Sequence, residues 1–237
     1  MNIQPPKLPD PPELGDKARQ VAHEVADAVK PKLRGWLHAC TFPLSVIAGI
    51  LLVLFAPTPT AKVASAVFAV TAAMLFGVSA LYHRLSWSPR GRAVLRRMDH
   101  ANIFLIIAGT YTPFTLLLLD SGNARVLLTI VWVGALIGVG FRVLWLGAPR
   151  WLYVPVYIAL GWAAAFWLPH FWAGSSVAMV LIVLGGLLYS AGAVVYALKR
   201  PNPFPRWFGF HEVFHACTVA AFVSHLVGLS FAFGTAA

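Results

Sequence analysis

Carboxylates are scarce in this chain. Of its 237 residues only eight are Asp or Glu, and beyond residue 27 only Asp99, Asp120 and Glu212 remain. Charged residues of both signs amount to 11%, against 59% hydrophobic, which is too little charge to clothe a soluble surface and a composition suited to lipid. Cysteine is as rare. Cys40 and Cys217 both fall within apolar runs and form no C-x-x-C, so no disulfide framework is implied and two buried thiols are expected. The first thirty-odd residues lack a basic segment leading into an apolar one, so no cleavable signal peptide is expected. The 18 Lys and Arg residues do not read as a nucleic-acid footprint, because they cluster between apolar runs instead of interleaving with a core.

What is present is a succession of long apolar stretches. Residues 1–16 carry Pro5, Pro6, Pro9, Pro11 and Pro12 among polar residues, which removes backbone donors and predicts disorder. Residues 17–35 come next, with Val21, Val25, Ala28 and Val29 opposite Arg19, Glu24 and Asp27 until Pro31, a pattern that predicts a short amphipathic helix on the membrane surface. From there to residue 237 the chain reads as one transmembrane domain. Seven runs are each near the length that crosses a hydrocarbon core: Trp36 to Ala56, Ala61 to Leu81, Met98 to Leu119, Ala124 to Leu146, Trp151 to Leu168, Ser175 to Leu198 and His211 to Phe233. The expected fold class is an all-α membrane protein, a seven-transmembrane helix bundle.

Lys and Arg set its orientation, since cytoplasmic loops are enriched in both. With seven crossings, every basic residue except Lys62 and Arg125 falls on one side. The N-terminus is therefore expected in the cytoplasm and the C-terminus outside.

Most of the chemistry gathers in His211-Glu212-Val213-Phe214-His215. Histidines four apart share one side of a helix, as a metal requires. The letters also fit the H-E-x-x-H of zinc proteases, whose glutamate is the general base. That reading fails further along the chain: no Asp or Glu comes after Glu212, and Thr218 and Ala221 stand where the longer motif needs Gly and His. His225 lies roughly 15 Å further along the axis, so any third ligand comes from earlier in the chain.

In the seven-span topology the second, third and seventh segments bring polar residues to the same cytoplasmic side. Ser79 and His83 share a face at the end of the second, Asp99 opens the third, and His211 and His215 open the seventh. Ionisable groups at membrane depth are costly and mark function. The expectation is Zn²⁺ held by His83, His211 and His215 with a fourth position for water, Asp99 as the base or hydrogen-bond partner of that water, and Ser79 orienting water or a substrate carbonyl. His100, turned about 100° from Asp99 on its helix, is expected among lipid headgroups. His38 is a candidate support for the site, and His225 a partner for a neighbouring helix. Gly134 and Gly138 are expected to serve close packing inside the bundle.

Three ordered segments, Ser79-Ala-Leu-Tyr-His83, the stretch from Arg97-Met-Asp99-His to Thr-Pro113, and His211-Glu-Val-Phe-His215, resemble those of the hemolysin III proteins. These are bacterial relatives of the progestin and adipoQ receptors, in a larger group that includes alkaline ceramidases. The resemblance runs from about residue 32 to 233. It implies seven helices with an intracellular N-terminus, a zinc held by His83, His211 and His215, and Ser79 and Asp99 lining the site; Glu212 stays outside the catalytic set. Three functions are expected from it. The first is a zinc-dependent hydrolase of a lipid amide or ester in the plasma membrane, its substrate entering sideways from the bilayer. The second is a pore-forming cytolysin, and the third a signalling membrane protein with structural zinc.

Overall fold

The computed structural model describes residues 31–145 and 147–234. The expected disordered tail at 1–16, and the amphipathic helix up to residue 30, lie outside the described residues; residues 32–35 form a turn. The helices are α1 (Trp36–Phe55), α2 (Pro59–Arg84), α3 (Pro89–Leu118), α4 (Ser121–Leu144), α5 (Arg150–Gly161), α6 (Leu168–Gly174), α7 (Ser176–Leu198) and α8 (Phe210–Phe233). A 3₁₀ turn, Ala163–Trp167, joins α5 to α6, and the three together make one crossing, Arg150–Gly174. Among the described residues, seven segments are long and apolar enough to cross a membrane. The protein is a seven-helix membrane bundle.

Local chemistry sets the helix starts. Thr58 accepts from the Ala61 N–H at 3.1 Å ahead of Pro59, and Ser88 accepts from the Gly91 N–H at 3.2 Å ahead of Pro89. Each pairs a side-chain cap with a proline whose missing N–H costs nothing there. The cap at Ser88 starts α3 nine residues before the expected Met98, so Arg90, Arg92, Arg96 and Arg97 ride on a helix and not in a loop. Asp120 caps α4 by accepting from the N–H groups of Gly122 and Asn123, both at 3.0 Å, and those bonds, the one from Asn123 first, hold its carboxyl below the usual range.

The fifth crossing is broken, and runs to Gly174 where the sequence suggested an end at Leu168. A break frees backbone groups that lipid cannot satisfy. Tyr111 of α3 answers this: its hydroxyl donates to the Gly161 carbonyl at 2.7 Å and accepts from the Ala164 N–H at 3.0 Å. The α3 helix is the centre of the bundle. It packs on α2, α4, α5, α6 and α8, and 67% of its most apolar window is buried against 17% for α7. Glycines permit the close crossings. A Cβ on Gly109 of α3 would stand 2.0 Å from Thr71 Oγ1 of α2, and one on Gly138 of α4 would stand 2.3 Å from the Phe104 ring. Gly134 likewise meets Leu160. These are contacts within the bundle, as expected for small residues between membrane helices.

Two expectations need correction. Cys40 is exposed and Cys217 half-buried; an apolar run in a membrane helix has a lipid-facing side, so membership of the run does not bury a thiol. His100 is buried at 9% exposure and not set among headgroups, because the long N-terminal extension of α3 carries it one helix turn beyond Arg96, whose carbonyl its Nδ1 meets at 2.7 Å.

Candidate metal centre

Seven alternating crossings bring the C-terminal end of α2, the first third of α3 and the start of α8 to one end of the bundle. The 3.6-residue period then aims their polar residues inward. Ser79 and His83 are one turn apart on α2 and both buried, at 1% and 7% exposure. His211 and His215 are one turn apart on α8. Ligand nitrogens of His83, His211 and His215 all lie within 4.8 Å of one another, and His83 Nε2 is 3.2 Å from His211 Nε2.

The donor set suits a metal ion. Two nitrogens bound to a tetrahedral zinc at about 2.0–2.1 Å stand roughly 3.3 Å apart, which is the spacing of the His83 and His211 nitrogens. Asp99 brings its Oδ2 to 3.9 Å from His83 Nε2, and the Ser79 hydroxyl hydrogen-bonds the Asp99 carboxylate. The carboxylate thus borders the triad from α3 with its orientation set by α2. All five residues named from the sequence are brought to this one place.

Three further residues belong to the surroundings. His38 of α1 stacks on His215 with ring centres 3.7 Å apart and planes within 8°, and meets the Phe76 edge at 5.1 Å. Two facing imidazoles fix the plane of His215. Tyr196 of α7 holds its ring 5.8 Å from that of His211, and its hydroxyl lies 3.4 Å from His100 Nε2 and from the Tyr153 hydroxyl. The sequence singled out neither tyrosine, since an aromatic in an apolar run carries no signal of which side it faces.

Arg142 was counted only as a topological charge, yet it is 1% exposed, with its guanidinium 4.2 Å from the centre of the Tyr153 ring. Stacking on an aromatic face is the means by which a guanidinium tolerates such burial. No pattern in the sequence distinguishes it from Arg150 or Arg200.

Glu212 sits between the two α8 histidines in sequence and apart from them in its contacts. Its Oε2 accepts from the Gly209 N–H at 2.8 Å, capping α8, and its Oε1 accepts from the Arg34 guanidinium. Both oxygens are therefore committed to structure. Next to this pair, the Lys32 and Leu33 N–H groups donate to the carbonyls of Arg206 and Trp207 at 3.0 and 3.2 Å. Gly35, with φ of +83°, then turns the chain so tightly against α2 that a Cβ would meet His83 Cβ at 2.6 Å. The stretch from 32 to 35 is a strap over the end of the bundle that holds His83 from behind.

A cavity of about 140 Å³ opens inward from the centre. Ser79, Asp99, His211 and His215 line its polar end, and its walls are mainly apolar, with Ile103, Ile107 and Phe114 from α3 among them. The arrangement sets one polar, metal-competent end against a long greasy interior.

Comparisons with known proteins agree with these features. The sequence pattern of the Haemolysin-III related family matches residues 26–226. The chain is 30% identical over 200 residues to "Hemolysin-3 homolog" of Bacillus subtilis (strain 168), covering 83% of this chain and 87% of that protein. It is 31% identical over 184 residues to "Hemolysin-3" of Bacillus cereus, covering 76% and 80%. "Heptahelical transmembrane protein ADIPOR2" of Oryza sativa subsp. japonica is 28% identical over 180 residues, covering 69% and 79%.

Proposed function

Because the chain belongs to the Haemolysin-III related family, we propose that it is a zinc-dependent hydrolase of the plasma membrane, cleaving a lipid amide or ester at its cytoplasmic end. The observation that carries this reading is the pairing of three converging histidines and a carboxylate with an apolar cavity that begins at the same residues. A metal alone would suit a structural role, and a cavity alone would suit a lipid-binding one. Together they suit chemistry on the polar end of an apolar molecule.

His83, His211 and His215 hold the zinc, which when bound supplies a Lewis acid for a carbonyl and a water of lowered pKa. The chain does the rest. Asp99 is placed to take the proton of an attacking water and to return it to the leaving amine or alcohol, as a general base and then acid. Ser79 orients that carboxylate, and the apolar walls take the acyl chain as it arrives sideways from the bilayer. Orientation with the triad at the cytoplasmic face is supported by the basic residues among the described ones, which cluster at the triad's end of the bundle, with Lys62 and Arg125 opposite.

The test is to present the purified protein, zinc-loaded or stripped, with mixed lipid vesicles and to measure released fatty acid by mass spectrometry. Release is expected only from the loaded protein, falling about a hundredfold or more in Asp99→Asn while bound zinc stays near one per chain. No fatty acid from any lipid, or release unchanged in Asp99→Asn, overturns the hydrolase. Dye escaping from the vesicles equally well with His215→Ala would point instead to a pore, and loss of the folded bundle on zinc removal to a structural metal.

A further inference from the structure

Away from the triad, the polar groups on the cavity wall are mostly accounted for by the protein. Thr218 donates to the Phe214 carbonyl at 3.0 Å, Ser190 donates to the Gly186 carbonyl at 2.8 Å, and Tyr111 bridges the broken fifth crossing. Tyr189 of α7 and His225 of α8 differ. The Tyr189 hydroxyl and His225 Nδ1 are both buried, both residues line the cavity, and neither atom has a hydrogen-bond partner in the protein. Their rings lie 5.7 Å apart.

The other nitrogen of His225 fixes the chemistry. Nε2 lies 3.2 Å from the Ile182 carbonyl, which can only accept, so Nε2 carries the proton and Nδ1 presents a lone pair. The approach is built in: a Cβ on Gly185 would fall 2.2 Å from Nε2, so glycine at this position is what admits the imidazole to the α7 backbone. His225 Nδ1 is therefore an acceptor and the Tyr189 O–H a donor, each without a partner in the protein, on neighbouring rings of two cavity-lining residues. Burying both without partners inside a membrane bundle is costly, and polar groups kept there mark ligand paths.

We infer that Tyr189 and His225 form a second binding subsite, about 15 Å along α8 from His215, that takes a hydroxyl carried on an otherwise apolar acyl chain. A hydroxyl satisfies both groups, donating to Nδ1 and accepting from the phenol. A ketone or ether satisfies the phenol alone, and a methylene satisfies neither. The subsite rests on reading the cavity as an acyl-chain site, and it narrows the substrate to lipids whose chain is hydroxylated near its middle.

The experiment uses the purified full-length protein and two probes that differ by a single mid-chain hydroxyl, ricinoleic acid and oleic acid, each displacing a fluorescent fatty acid. Ricinoleic acid is expected to bind about tenfold more tightly. Tyr189→Phe, which removes one oxygen with no partner in the protein, should abolish the preference while leaving oleic acid unchanged. Equal affinity of both acids for the wild type means the pair holds only a water molecule, and overturns the subsite while leaving the hydrolase standing. Failure of both acids to bind overturns the subsite and the acyl cavity together. A preference that vanishes in Tyr189→Phe, in a protein that releases no fatty acid from lipids, supports the subsite and removes the hydrolase.

Discussion

His83 Nε2 and His211 Nε2 lie 3.2 Å apart across 128 residues of sequence. Two imidazole lone pairs do not face each other at that distance without something positive between them, either a shared proton or an ion. With His215 completing the triad, an ion is the better fit. Purified protein should carry about one zinc per chain, and His83→Ala, His211→Ala and His215→Ala should each weaken retention at least about a hundredfold. Metal analysis after dialysis reads this directly. Stoichiometric zinc surviving in the triple variant would refute the site.

Glu212 separates two readings of the same five letters. As a protease base it would be dispensable for stability and indispensable for turnover. Here it caps α8 and receives Arg34, so Glu212→Gln should retain zinc. Arg34→Ala should destabilise the bundle by about 2 kcal/mol, the cost of leaving a buried carboxylate short of a charged partner. Thermal unfolding in detergent together with metal analysis decides: full stability with abolished turnover in Glu212→Gln would restore the protease role.

How much of this was legible depends on what lipid does to a sequence pattern. The number of crossings and the i, i+4 spacings of Ser79 with His83 and of His211 with His215 are local signals, and they survive into the structure, although helix ends move, as at Pro89 and Gly174. Lateral packing is different. Outside is as apolar as inside, so a membrane helix need not advertise its buried face. Nothing in the sequence announced that His38 would stack on His215, that Arg142 would lie under Tyr153, or that Cys40 would face outward. The fifth crossing escaped for the same reason: its break at Gly161 is repaired by Tyr111, a residue 50 positions away on another helix. Asp99 was legible because a lone acid in an apolar run has few explanations, and the ring of tyrosines beside it was not because aromatics there have many.

Gly35 carries the strap around the back of His83. Its φ of +83° is open to glycine and strained for an L side chain, and the space a methyl would need belongs to His83 Cβ. Gly35→Ala should therefore shift His83 and lower zinc affinity about tenfold or more, along with a loss of stability of about 1–3 kcal/mol. A zinc titration on the folded variant distinguishes the two effects. Unchanged zinc affinity in a destabilised protein would mean the strap supports the fold without positioning the ligand.

The distance between α2 and α3 governs whether Asp99 reaches the triad, and Gly109 sets that distance where it faces Thr71. Thr71 Oγ1 is occupied within its own helix, donating to the carbonyls of Val67 and Phe68 at 2.9 and 3.0 Å, so it contributes bulk to the contact and no bond across it. Gly109→Ala places a methyl 2.0 Å from that oxygen and should cost about 1–3 kcal/mol through overpacking. It should also reduce fatty-acid release by more than it reduces zinc content, since all three histidines sit on α2 and α8 while Asp99 alone moves with α3. Thr71→Ala by itself should be nearly neutral. In the double variant the methyl of Gly109→Ala enters the space that the Thr71 hydroxyl and γ-methyl vacate, so stability should recover by at least about 0.5 kcal/mol over the sum of the single changes. Strict additivity in that cycle, measured by thermal unfolding, would show that the two helices do not approach at this point.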